Sequence, residues 1–263
     1  MSGFDLFAPG AGNALALLGM RVTGLLLVAP AFSARNVPMP LRAGMTILFT
    51  ALLAPVAYEA AGARGTSLEL TVGAFLGEAL IGFTIGLGAA ILVGAAGFAG
   101  EIAGTQAGLS GAAIFDPLGG HDSTALQQFF GLFATVILFA VNGHLVMLDA
   151  LATSVQRLPL GSALHTAAGL HALALRGGTL FALGLQFAAP AIAAIVLANT
   201  ALAVLGRAAP QLNVLSVAFP LQIGIGLLTL GLAIPFLGMV VGDWWLSFGG
   251  RTGELLGILA RGR

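Results

Sequence analysis

Apolar residues along this chain fall in six long runs, at residues 13–32, 43–58, 70–104, 123–148, 177–206 and 214–244, and most charged residues lie between them. A helix that crosses a bilayer needs about 20 consecutive, mainly apolar residues, so every run predicts a helix on that scale. The second run is short, and the third, fifth and sixth exceed one bilayer thickness. Tilt, breaks or helix outside the lipid must absorb the excess. Pro190, Pro220 and Pro235 fall inside the last two runs, where each removes a backbone hydrogen bond and favours a kink. The pattern predicts an all-α integral membrane protein with about six long, partly broken hydrophobic helices.

Composition agrees with the pattern. Only 8% of the 263 residues are charged and 58% are hydrophobic, whereas a soluble domain carries about 25% charged residues. The basic residues are all arginine, and ten of them balance ten acidic residues. That neutrality indicates neither a nucleic-acid partner nor a polybasic clamp on lipid. With no cysteine, disulfides and thiolate metal sites are excluded. No arginine precedes Arg21, so the first run lacks the basic flank of a cleaved signal peptide and is expected to be retained. For an even number of spans, Arg64, Arg157, Arg176, Arg251, Arg261 and Arg263 share one side, against Arg35, Arg42 and Arg207. For ordinary spanning helices this asymmetry favours a cytoplasmic C-terminus.

Glycine is abundant, at 39 residues. Gly73 and Gly77, Gly82 and Gly86, and Gly100, Gly104 and Gly108 recur at four-residue spacing, which places each set on one helix face. Such faces let backbones approach closely, within the chain or between subunits. Arg21 and Glu78 interrupt the first and third runs. An ionised residue at that depth costs about 2.5 to 3.5 kcal/mol on insertion scales and needs a partner or water. Mutual pairing as structural glue and a polar conduit are both open. Glu101, Gln106, Asn142 and His144 complete the set of candidate buried polar residues.

Catalysis has little support in the residues. Ser110 and His144 fall in separate elements, as an intramembrane serine protease would require, but Ala112 stands where a nucleophile elbow needs its final glycine. His121, His165 and His171 have no metal-ligand spacing, and Gly86-Leu-Gly88 lacks the third glycine of a dinucleotide loop. No catalytic residue, metal site or cofactor is predicted. A secondary transporter would also account for buried charge and broken helices, although no inverted repeat is visible between the halves.

Several motifs in order carry a family resemblance. They are Gly104-Thr-Gln106-Ala-Gly108-Leu-Ser110 with Phe115-Asp116-Pro117, then Phe139-Ala-Val-Asn142-Gly143-His144-Leu145, then Leu158-Pro-Leu-Gly161, and finally RAAPQLNV from Arg207 with Phe219-Pro220-Leu221. Together they resemble the FliR family of flagellar biosynthetic proteins, over nearly the whole chain from about Leu17 to Trp244. Subunits of virulence-associated injectisomes are similar. The resemblance implies a non-enzymatic subunit of the type III protein export gate, in the bacterial inner membrane at the flagellar basal body. Such a subunit assembles with FliP and FliQ, in the company of FlhA and FlhB and of membrane lipids, and unfolded exported proteins thread through the assembly. It further implies a FliP-like part at residues 1–170 and a FliQ-like helical hairpin with a short tail at 171–263, the boundary falling between Gly161 and Gly178.

Within that frame the loop near 108–122 is expected to plug the channel, with Gly108, Ser110, Ile114, Phe115, Asp116, Pro117 and Leu118 as its working residues. The hairpin tip, with Arg207, Pro210, Gln211 and Asn213, is expected at a subunit junction. This chain departs from the common family pattern at Ala107, Gly111, Ala218 and Gln222, where Met, Phe, Gly and Lys are frequent. The missing Phe at 111 shifts any seal onto Phe115 and onto partner subunits.

Overall fold

The computed structural model describes residues 10–33, 37–62, 69–107, 124–162, 166–208 and 214–261. Among these the chain forms eight α-helices: α1 (Ala11–Val28), α2 (Pro30–Ser33), α3 (Met39–Gly62), α4 (Val72–Gln106), α5 (Ala125–Ala140), α6 (Gly143–Arg157), α7 (Thr166–Ala208) and α8 (Val214–Arg261). Their boundaries follow local chemistry. Ala29 is extended because Pro30 follows it, and that proline opens the one-turn helix α2. The Thr71 hydroxyl accepts the Ala74 N–H and so caps α4, while the Thr124 hydroxyl accepts the Gln127 N–H and caps α5. At the end of α6 the Leu158 N–H closes the last turn onto Ser154, and Pro159 prevents continuation.

Among the described residues, four helices, within α1, α3, α4 and α7, are long and apolar enough to cross a membrane, or five spans if the bent pair of α5 and α6 counts as one. The chain is an all-α integral membrane protein. One expected helix is divided: the run at 123–148 splits into α5 and α6, which meet at 67°. Asn142 causes the break by adopting the left-handed conformation, at φ 57°, one that Asn tolerates better than most side chains. Its carbonyl then accepts the Leu145 and Val146 N–H groups and starts the new helix. The helices also outrun their apolar runs. α7 starts at Thr166 and α8 continues to Arg261, so Arg176, Arg251 and Glu254 are helical. Pro190, Pro220 and Pro235 lie inside these two helices.

The helices sort into two compact units, each built from separated stretches of chain. Unit 1 comprises Met1–Ile91, Leu138–Gly177 and Trp244–Arg263, and unit 2 comprises Leu92–Ile137 and Gly178–Asp243. In unit 1, α1 packs against α3, and α3 against α6. The crossing of α1 with α4 is close: a methyl group on Gly82 would collide with the Arg21 carbonyl, one on Gly24 with the Ala79 carbonyl, and one on Gly86 would stand 2.8 Å from the Leu25 carbonyl oxygen. Gly143 lies beneath the Trp245 indole, where a methyl group would stand 2.9 Å from the ring.

In unit 2, Ala95, Ala99 and Ala103 of α4 pack with Leu126 and Phe130 of α5 and with Phe187, Ala188 and Ala191 of α7. Gly100 meets the Leu126 backbone, and Gly184 lies under the Phe98 ring. Lipid tails are as apolar as leucine, so helices in a bilayer are held by close van der Waals contact and interhelical hydrogen bonds. Small residues at these crossings supply the first. The glycine faces containing Gly82 and Gly86, and Gly100 and Gly104, are thus occupied within the chain itself.

Candidate functional site

Arg21 is fully buried in α1, and each of the groups facing it comes from a different part of unit 1. Its Nε donates to Glu78 Oε2 of α4 at 2.5 Å, its Nη1 to Ser154 Oγ of α6 at 3.0 Å, and its Nη2 to the Leu158 carbonyl at 2.9 Å. The second oxygen of Glu78, Oε1, accepts the Gly161 N–H at 2.9 Å. Ser154 in turn donates to the Leu151 carbonyl at 2.6 Å. Gly161 has φ 73°, a conformation glycine adopts without strain, and that turns its N–H onto the carboxylate. The planar guanidinium fork can serve three acceptors at fixed angles, which a lysine ammonium cannot reproduce.

Charge is balanced inside this junction, and its donors face acceptors. Such an arrangement binds α1, α4, α6 and the turn after α6 into one body. It offers no exposed nucleophile or base, so its chemistry is that of a joint. The pairing of Arg21 with Glu78 was open in the sequence. The contributions of Ser154, the Leu158 carbonyl and the Gly161 N–H were not legible there, because they lie 133 and 137 positions from Arg21 and 83 from Glu78. Their one visible trace was the Leu158-Pro-Leu-Gly161 motif.

A second polar contact lies in unit 2. Glu101, half-buried near the end of α4, accepts both the Thr124 N–H at 3.1 Å and the Thr124 hydroxyl at 3.0 Å through Oε2. Gly104 leaves room for this: a methyl group there would stand 2.9 Å from the Thr124 hydroxyl oxygen. The carboxylate therefore holds the chain just before residue 108 against the chain just after residue 123. Nothing in the sequence pointed to Thr124.

The other candidate polar residues lie nearer the surface of the single chain. Gln106 is exposed, since it ends the last turn of α4, and Asn142 is exposed at the break between α5 and α6, where its backbone conformation does the work. His144 is half-buried, its ring 5.2 Å from that of Phe139, and its Nδ1 finds no hydrogen-bond partner among the described residues. Arg207 is exposed at the end of α7. Gly108, Ser110, Ile114, Phe115, Asp116, Pro117 and Leu118 of the expected plug lie outside the described residues, as do Pro210, Gln211 and Asn213 of the expected tip.

Long apolar helices, close glycine crossings and a buried ion pair define a multi-pass membrane protein. The chain belongs to the bacterial export proteins, family 1, whose model matches residues 13–247. It is 34% identical over 218 residues to the flagellar biosynthetic protein FliR of Pectobacterium carotovorum subsp. carotovorum, covering 83% of each chain. To FliR of Bacillus subtilis it is 30% identical over 234 residues, covering 87% of this chain and 88% of the relative. It is also 31% identical to the secretion system apparatus protein SsaT of Salmonella typhimurium, over 85% of this chain and 87% of that protein.

Proposed function

We propose that the chain is a structural, non-enzymatic subunit of the flagellar type III protein export gate. With FliP-like and FliQ-like subunits it forms the channel core in the bacterial inner membrane, at the flagellar basal body beside FlhA and FlhB, and unfolded flagellar proteins pass through that core. The observation that carries this reading is the family match over residues 13–247 together with 34% identity to a flagellar FliR across 83% of both chains. Residues 1–170 act as the FliP-like part and 171–263 as the FliQ-like hairpin. Arg207, Pro210, Gln211 and Asn213 serve the subunit junction.

Deleting the gene from its own bacterium and following secretion tests the proposal. Loss of swimming, with filament protein retained inside the cell and restored by the wild-type gene, is the expected result; unimpaired motility refutes it. Similarity to SsaT favours a second reading, an injectisome gate subunit. In that case the deletion blocks needle-complex secretion and leaves swimming intact.

A channel wide enough for an unfolded chain must stay closed to ions, because the membrane potential drives each elementary charge with about 2.3 kcal/mol per 100 mV. The loop near 108–122 serves as that plug, with Ile114, Phe115 and Leu118 as apolar bulk and Asp116-Pro117 setting the turn. The Glu101 contact with Thr124 supports this by fixing the base from which the loop departs. Shortening the loop is expected to raise ion leak while secretion persists, and Phe115→Ala to do so mildly. Normal assembly with unchanged conductance would return the loop to a connector.

A further inference from the structure

Arg157 closes α6, and its guanidinium lies so close over Gly253 of α8 that a methyl group there would stand 2.5 Å from Nη1. It joins neither the Arg21–Glu78 nor the Arg176–Glu254 ion pair, and no described residue accepts a hydrogen bond from it. Beside it a groove of about 430 Å³ is walled by Leu158, Gly253, Leu256, Gly257 and Ala260. The α8 members of that wall are spaced three and four apart and so share one helix face. Gly257 hollows this face, for no atom of the described residues lies within 4 Å of where its side chain would be. A smaller cavity of about 180 Å³ adjoins Arg157 on its polar side, where Asp149, Thr153 and Thr252 line it without forming an ion pair to the arginine.

Two further arginines come to the same end of unit 1. Arg176 pairs with Glu254 at 3.0 Å, and Arg251 lies 4.2 Å over the Trp244 ring. Around the groove Arg157, Arg176 and Arg251 outnumber Asp149 and Glu254, and such a positive balance attracts an anionic headgroup. A guanidinium with no ion-pair partner among the described residues, at the mouth of an apolar groove in a membrane protein, is complementary to an anion that carries an apolar tail. We propose that this groove holds an anionic phospholipid, its phosphate bound by Arg157 and one acyl chain entering along Gly257 and Ala260. Paired N–H groups of the guanidinium match two phosphate oxygens, and the apolar wall takes up the chain. The site stands independently of the export role.

Native mass spectrometry of the full chain in mild detergent tests it, with phosphatidylglycerol, phosphatidylethanolamine of the same acyl chains, and inorganic phosphate as probes. Wild type is expected to bind phosphatidylglycerol about fivefold more tightly than Arg157→Gln does, the equivalent of roughly 1 kcal/mol for one arginine near an anionic surface. Arg157→Lys should fall between them. Ala260→Phe, which fills the groove and leaves every charge in place, should weaken the same binding and so tests the apolar wall if Arg157→Gln proves poorly folded. Unchanged affinity in both Arg157→Gln and Ala260→Phe overturns the proposal. So does equal binding of phosphatidylethanolamine, and so does full displacement of the lipid by inorganic phosphate, which would reduce the site to one for a free anion.

Discussion

Replacing Glu78 by Gln isolates the charge of the buried junction, since the amide keeps the shape of the carboxylate and can still accept the Gly161 N–H. Arg21 is 0% exposed and Glu78 2%, so water cannot take over for the lost negative charge. After the change, the guanidinium retains two neutral acceptors, Ser154 Oγ and the Leu158 carbonyl. Removing one partner of a buried ion pair costs about 3 to 5 kcal/mol, most of it the penalty of the charge left behind. In a chain of this size that corresponds to a fall of roughly 10 °C in melting temperature. The double variant Arg21→Met with Glu78→Gln removes both charges and should recover most of that loss, because a buried pair is often worth little more than its apolar replacement.

Thermal melting of the four proteins, wild type, both singles and the double, in one detergent completes the cycle. Glu78→Gln melting with the wild type would refute the coupling of the two charges, as would a double variant that loses the sum of the two single effects. The first result would mean that the charge is compensated by something other than Glu78. The second would mean that the two side chains act through separate contacts.

Substitutions at four further positions probe the rest of the structure. Gly82→Ala should destabilise strongly because its methyl group meets the Arg21 carbonyl, whereas Gly224→Ala, with nothing within 4 Å, should be neutral or gain up to about 1 kcal/mol from helix propensity; melting temperatures compare the two. Asn142→Gly should be tolerated and Asn142→Val should cost about 1 to 3 kcal/mol, since a β-branched residue resists the left-handed conformation at the break; equal stability of the two would contradict the role given to that backbone. Glu101→Ala removes both acceptor contacts to Thr124 and should speed exchange of the Thr124 amide about tenfold, on the order of 1.4 kcal/mol of local stability, and an unchanged exchange rate would show that Glu101 does not hold the loop base.

Helix locations were legible because a membrane helix is marked by length and composition, which one sequence displays directly. Arg21 and Glu78 stood out for the same reason, as charges in apolar runs that required compensation. What escaped detection depended on contact between distant stretches. Ser154 is an ordinary serine in α6 until α1 brings a guanidinium to it, and Thr124 is an ordinary cap until α4 presents Glu101. Asn142-Gly143 sits in an apolar run with no proline, so hydrophobic pattern alone carries the helix straight through it. The extensions of α7 and α8 past their apolar runs were hidden for the opposite reason: a helix satisfies its own backbone groups and can continue into polar surroundings where no hydropathy signal follows it.

The interleaving of the two units sets an order on synthesis. Both stretches of unit 2 are translated before residue 244, while unit 1 still lacks Trp244–Arg263. Domains tend to fold as units while the chain emerges, at roughly 5 to 20 residues per second. Here the unit that begins first is finished last: Gly88 waits for the Phe248 ring and Gly143 for the Trp245 indole. A chain ending at residue 243 would therefore contain all of unit 2 but leave unit 1 without the Trp245 and Phe248 rings that cover Gly143 and Gly88, its close-packing surfaces open to insertion factors and proteases.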